Sequence, residues 1–258
     1  MGNRISELLA GAGLLLRGFG TWARDPRLML LGAVPALIVG ALMLAVVIVV
    51  SFQVGGWATW LTPFADGWDP GWAGALRVAL ALGLTVGVIV LCVLTFAAIT
   101  LAVGDPFYER ISREIDERLG RVGEAPEAGF WRSAAKGLRD AVVLIGMAIG
   151  TALVVFLVGL IPLVGTVLGL VVGAVLGGRA LARELTGYAG DARGLSLDER
   201  RALLAAHRWR STGFGMVAYL LLLVPGVAVV ATPVAVVGAT LLVRDLRGEP
   251  TTAPSPSS

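Results

Sequence analysis

Residues 141–178 read AVVLIGMAIGTALVVFLVGLIPLVGTVLGLVVGAVLGG, 38 positions without a charged side chain, with Ile161-Pro162-Leu163-Val164-Gly165 near the centre. About 20 apolar residues suffice to cross a bilayer's hydrocarbon core. The run is therefore too long for one straight crossing and suits two tight ones. Lys136 and Arg139 precede it, and Arg179 and Arg183 follow. Because Lys and Arg concentrate on cytoplasmic flanks, both ends are expected on the same side. The reading is a membrane helical hairpin over 141–178, broken at Pro162 and Gly165.

Composition agrees with a membrane protein. Hydrophobic residues make up 57% of the chain and charged ones 15%, against about 25% charged in an ordinary soluble domain. The net charge of +3 sits mostly between apolar blocks, where it reads as topology and lipid-headgroup charge rather than as a nucleic-acid patch. One cysteine, Cys92, and one histidine, His207, leave no material for a disulfide framework or a Cys/His metal cluster. No cofactor is expected. The first apolar run starts only at Leu28 and is long, so no cleaved signal peptide is expected.

Working outward toward the N-terminus, Ile5, Leu8, Leu9, Ala12, Leu15, Leu16, Phe19 and Trp22 recur at helical spacing. Residues 1–27 are read as an amphipathic helix, lying in the membrane interface or packed on the protein, that turns at Asp25-Pro26. The first long crossing is expected at about 28–52, kinked at Pro35. Residues 53–74 carry Trp57, Trp60, Trp68 and Trp72 with Asp66 and Asp69 and no Lys or Arg, the pattern of an outer loop at headgroup level. The second crossing is expected at about 75–103, with Arg77 snorkelling outward. Asp105-Pro106 has the chemistry of a helix start. Beyond it, Phe107, Ile111, Ile115 and Leu119 form an apolar stripe, with Glu109–Arg113 and Glu114–Arg118 as pairs one turn apart. Seven Lys or Arg residues in 104–140 assign this segment to the cytoplasmic side.

Toward the C-terminus, Ser196-Leu197-Asp198-Glu199 is a capping box opening a short helix. Residues 213–243 form a second uncharged block of 31 residues, interrupted at Pro225-Gly226 and Pro233 and flanked by arginines at both ends. It reads as a second hairpin. Two arms of about 15 residues reach only about 22 Å each, so partial penetration is favoured over full crossing. Gly169, Gly173 and Gly177, with Gly146 and Gly150, have the spacing that brings helices close in lipid, either within the chain or between subunits of a homo-oligomer. Residues 248–258, rich in Pro, Ser and Thr, are expected to be a disordered tail. The fold class is thus an all-α integral membrane protein. Two long transmembrane helices and two Pro/Gly-broken hairpins form a single membrane domain over 28–247, accompanied by amphipathic cytoplasmic or interfacial helices. Both termini are expected to be cytoplasmic.

Three stretches resemble the CysZ-like sulfate transporter family, which also includes the eukaryotic etoposide-induced membrane proteins. They are Asp105-Pro106-Phe107-Tyr108-Glu109-Arg110-Ile111, Leu160-Ile161-Pro162-Leu163-Val164-Gly165, and residues 232–240, TPVAVVGAT. The similarity extends from about Trp22 to Asp245. It implies long transmembrane helices with partly inserted hairpins, and passage of sulfate across the cytoplasmic membrane. In the sulfate branch a Gly-hydrophobic-Arg-Arg sequence follows the proline matching Pro26 and holds the anion. Here the matching positions are Arg27, Leu28, Met29 and Leu30. Arg24 and Arg27, beside a helix N-terminus, remain as the cations that can hold a small inorganic anion.

The residues support two functions of different class. One is a permease for a small anion such as sulfate, with the bilayer and the anion as partners. The other is a membrane-shaping or scaffolding protein, in which inserted hairpins displace headgroups without transport. Enzymatic action is not expected. The chain has no phosphate-binding glycine loop, and Ser51, Thr95, Thr100 and Thr166 stand alone, suited to bonding within their own helices.

Overall fold

The computed structural model describes residues 2–120, 146, 149–150, 153–154 and 165–252. Its described residues are helical throughout apart from turns. The helices are α1 (Gly2–Ala23), α2 (Pro26–Leu61), α3 (Pro70–Arg118), α4 (Gly165–Leu185), α5 (Gly187–Asp191), α6 (Leu197–Ala206), α7 (Arg208–Leu222) and α8 (Pro225–Leu246). Among the described residues, three stretches are long and apolar enough to cross a membrane: Pro26–Leu61, Pro70–Val93 and Val227–Leu246. The chain divides into two compact units, one of Ala33–Asp105 and one of Met1–Gly32 with Pro106–Ser258.

The Ala33–Asp105 unit holds the larger parts of α2 and α3. Both helices outrun the sequence reading. The helix α2 has 36 residues, about 54 Å at 1.5 Å per residue, and continues through Pro35 to Leu61. The loop expected over 53–74 shrinks to a short connection containing a 3-10 turn at Pro63–Ala65. Its tryptophans at 57 and 60 sit on the end of α2, and Trp72 on the start of α3. Thr59 and Thr62 return their hydroxyls to the carbonyls of Gly55 and Ala58 within this stretch of helix. Arg77 does not simply reach outward. It pairs with Asp66 and donates to the Thr62 hydroxyl at 3.2 Å, which ties α3 to the turn. Ser51 and Thr95 bond to the carbonyls of Val47 and Leu91 within their helices.

Asp105-Pro106 does not start a new helix, because α3 runs on through Pro106 to Arg118. The proline costs one hydrogen bond inside a helix, a loss that long apolar helices tolerate.

In the other unit α8 is the central helix. Val234, Ala235, Val236, Val237, Leu241 and Leu242 are buried in one core with Leu14, Leu15, Ile111, Ile115 and Phe214. The stripe read from Ile111 and Ile115 thus faces inward, and Leu119 is partly buried against it. Close packing is made by glycines. A Cβ on Gly11 would stand 2.0 Å from the Arg210 carbonyl oxygen, and one on Gly213 would stand 2.1 Å from that of Leu8, so α1 and α7 touch backbone to backbone. Gly18 meets Gly238 of α8 in the same way, at 2.7 Å.

Of the glycines read at four-residue spacing, Gly177 packs on the Tyr219 ring, and its neighbour Gly178 meets Gly215. The contact therefore joins α4 to α7 within the chain. Most of the first arm and the apex of the 141–178 hairpin, including Pro162, lie outside the described residues. Gly165 is the first residue of α4. In the second block, α7 ends at Leu222, Val224 is extended, and Pro225 and Gly226 open α8. The two helices have 15 and 22 residues rather than two equal arms.

Candidate functional site

The helix α1 presents three faces. At about 100° per residue, Gly11, Leu15, Gly18 and Trp22 fall on the side buried against α7 and α8. Ile5, Leu9, Leu16 and Phe19 form a second, exposed apolar stripe. The apolar periodicity read from the sequence is thus two adjacent stripes, one for protein and one left uncovered. Arg17 and Thr21, with Arg24 one residue past the helix, share the third direction and face a cleft of about 620 Å³.

Arg17, Thr21, Arg24, Arg118, Thr251 and Thr252 supply the polar lining of this cleft, over an apolar floor that includes Ile115 and Leu241. Among the described residues, no Asp or Glu is part of the lining. Arg118 is already neutralised, pairing with Asp25 and with Glu114, the latter at 3.1 Å. Arg17 donates from Nη2 to the Thr251 carbonyl and hydroxyl oxygens, both at 3.3 Å. Arg24 is exposed. Neither Arg17 nor Arg24 has a carboxylate partner among the described residues.

Asp25 organises the elbow between α1 and α2. One carboxylate oxygen accepts from the backbone N–H of Arg27 at 2.8 Å and of Leu28 at 3.3 Å, capping α2, while the other pairs with Arg118. Burial opposes the charge, but the Arg118 guanidinium and the two amides hold the carboxyl below its ordinary value. The N-terminal amides of α2 are therefore spoken for. Of the two arginines singled out in the sequence, Arg24 lies on the cleft, whereas Arg27 points to Glu114 at 3.6 Å and is not part of the lining. The structure does not bring the pair together.

Arg17 was hidden in the sequence as an interruption of an apolar stripe. The signal that marks it is the polar series Arg17, Thr21, Arg24 at intervals of four and three. Thr251 and Thr252 fall in the stretch expected to be disordered from Gly248, which needs correction for residues 248–252. Gly248, at φ +70°, ends α8. Its N–H reaches the Asp245 carbonyl at 3.1 Å and that of Glu249 reaches Arg244 at 2.8 Å, a Schellman closure. Glu249 then accepts from Arg193 at 2.6 Å, and the Pro250 carbonyl accepts from Arg244 at 2.6 Å. Composition alone predicted coil, and buried arginines elsewhere in the chain hold it.

Those arginines belong to a buried charge cluster. Asp116 accepts from Arg193 at 2.8 and 2.9 Å and from Arg244 at 2.7 Å. The side chains of Arg193 and Arg244 are each 2% exposed. Burial works against ionisation of Glu249, yet its bond to Arg193 keeps its carboxyl below the usual range. His207, the only histidine, ends α6, and its ring nitrogen lies 3.3 Å from the Leu203 carbonyl. The Ser196–Glu199 capping box forms as read, with both reciprocal bonds present.

Comparison with known proteins gives a consistent result. The family model described as Sulfate transporter CysZ/Etoposide-induced protein 2.4 matches residues 14–233. A Pseudomonas fluorescens protein named Sulfate transporter CysZ is 27% identical over 228 residues, 84% of this chain and 86% of the relative. A Vibrio cholerae protein with the same name is 26% identical over 241 residues, 87% of this chain and 92% of the relative. A third so named, from another Pseudomonas fluorescens strain, is 30% identical over 158 residues, 57% of this chain and 58% of the relative.

Proposed function

This chain belongs to the Sulfate transporter CysZ/Etoposide-induced protein 2.4 family, and from that premise we propose that it carries sulfate across the cytoplasmic membrane. The observation that supports the reading most directly is the cleft beside the α1–α2 elbow. Sulfate is a dianion, and moving it out of water requires both compensating charge and hydrogen-bond donors. Arg17 and Arg24 supply two guanidiniums with no carboxylate partner among the described residues, and Thr21, Thr251 and Thr252 supply hydroxyls. In this reading Arg24 binds the anion, and Arg27, tied to Glu114, keeps the elbow in shape.

The membrane arrangement follows from where apolar and basic residues fall. Residues 26–61 and 70–93 cross the bilayer, with the Trp-rich turn at the outer face and both termini in the cytoplasm. The exposed stripe of α1 lies in the inner headgroup region. Leu220, Leu221, Leu223, Val224, Val227 and Val230 are exposed around the break between α7 and α8. That apolar tip suits a hairpin that enters the bilayer partway, its base held in protein. A membrane-shaping role would use the same tip but has no need of a cation-lined cleft.

Binding of radiolabelled sulfate to the detergent-purified protein tests the reading. Wild type is expected to bind, and Arg24→Ala to weaken binding by about tenfold or more, the equivalent of one lost charge-assisted contact. Equal binding by the two proteins would remove Arg24 from the site.

A further inference from the structure

We propose that residues 249–252 are a wall of the anion cleft, with Thr251 acting as the positioning residue for Arg17. The inference rests on the anion-binding reading of that cleft and extends it to the C-terminus. These residues lie beyond position 233, outside the stretch matched by the family model.

Three observations carry it. First, the strap is anchored immediately before the cleft. Glu249 receives hydrogen bonds from Arg193 at 2.6, 3.1 and 3.2 Å and from Arg247 at 2.8 Å. Arg244 holds the Pro250 carbonyl at 2.6 Å. A buried cluster of four charges is a costly way to gain stability but an effective way to fix one geometry. Here the geometry fixed is that of a chain segment, whose next two residues, Thr251 and Thr252, face the cleft.

Second, Arg17 has an exposed side chain whose described partners are both on Thr251. An unrestrained arginine carries rotamer entropy, which a ligand would have to overcome. Both bonds to Thr251 come from a single nitrogen. They aim the guanidinium while leaving most of its five N–H donors available to an anion. Third, two of the three hydroxyls in the lining belong to the strap. Without it the cleft loses these donors and the restraint on Arg17.

Sulfate binding by the full-length purified protein provides the test, using two variants with Arg24→Ala as a reference. In the first variant residues 249–252 are replaced by four glycines. This removes the carboxylate of Glu249, so simple attraction predicts tighter binding. A strap that completes the site predicts binding weaker by about tenfold. The second variant, Thr251→Ala/Thr252→Ala, leaves the anchor intact and keeps the test valid if the first fails to fold on size exclusion. Its expected loss is about threefold to tenfold, as for donors to a charged ligand.

Wild-type affinity or better in Thr251→Ala/Thr252→Ala, or in a folded glycine variant, overturns the inference. If Arg24→Ala is defective while the strap variants are not, only the strap is wrong. If wild type binds no sulfate, or Arg24→Ala binds as wild type does, the reading of the cleft falls and the strap proposal falls with it.

Discussion

Helices α2 and α8 are both apolar enough to cross a membrane, with mean hydropathies of 2.9 and 2.0 in their richest windows, but they live in opposite surroundings. Only 17% of the α2 window is buried within the protein, and none of the α3 window, against 78% for α8. The difference lies in what the side chains are paired with. Residues of α8 meet Gly18, Leu14 and Leu15 of α1 and the Phe214 ring of α7, and its C-terminal turn carries Arg244 into a buried charge cluster. In α2 and α3 the glycines at 55, 56, 74, 83 and 87 have no other atoms near the place a Cβ would occupy, among the described residues. Hydropathy establishes that a helix avoids water. Whether lipid or protein replaces the water is decided by the neighbours.

The comparison can be tested where the difference should be largest. Asp116→Ala leaves Arg193 and Arg244 facing each other without their shared carboxylate. It is expected to cost about 3–5 kcal/mol, as for breaking other buried pairs, read as a large fall in melting temperature in detergent. A paired substitution sharpens the contrast next. Gly18→Leu drives a side chain into the Gly238 backbone and is expected to destabilise by about 1–3 kcal/mol or more, while Gly87→Leu on the exposed side of α3 should leave the melting temperature unchanged. Similar losses from both would mean that residues 70–93 are packed as tightly as α8.

Smaller effects follow from the carboxylates. Asp25 and Glu249 have folded values below their ordinary ones. Their contribution is therefore complete above the unfolded range near pH 4 and is lost as pH falls through the lower folded values. Melting temperature should hold steady from pH 7 to about pH 5 and decline below about pH 4. A decline already complete between pH 7 and 5 would point to other groups. Smallest of all, Arg77→Ala breaks a pair whose Asp66 partner is 68% exposed, and should cost at most about 1 kcal/mol.

Much of the fold was legible because it depends on local chemistry. Uncharged length announced the long helices, Ser196 and Glu199 announced their capping box, and Pro225 marked the break before α8. The loop expected over 53–74 was drawn too long, since tryptophans with acidic charge read as an interfacial loop although α2 continues to Leu61. The close approaches of Gly11, Gly18 and Gly213 could not be read, because each depends on a partner about 200 residues away in sequence. The candidate site was half visible. Arg24 was found beside its proline. Arg17 was masked by the apolar residues around it, and Thr251 by a composition that looks disordered until Arg193 and Arg244 are placed beneath it.

The central claim is that two guanidiniums on the polar face of α1 and its elbow receive a dianion for transport. The most direct measurement is radiolabelled sulfate uptake into liposomes containing wild type or Arg17→Ala/Arg24→Ala. The account predicts uptake well above empty liposomes for wild type and near the empty-liposome level for the double variant. Undiminished uptake by the double variant would show that the anion takes another path.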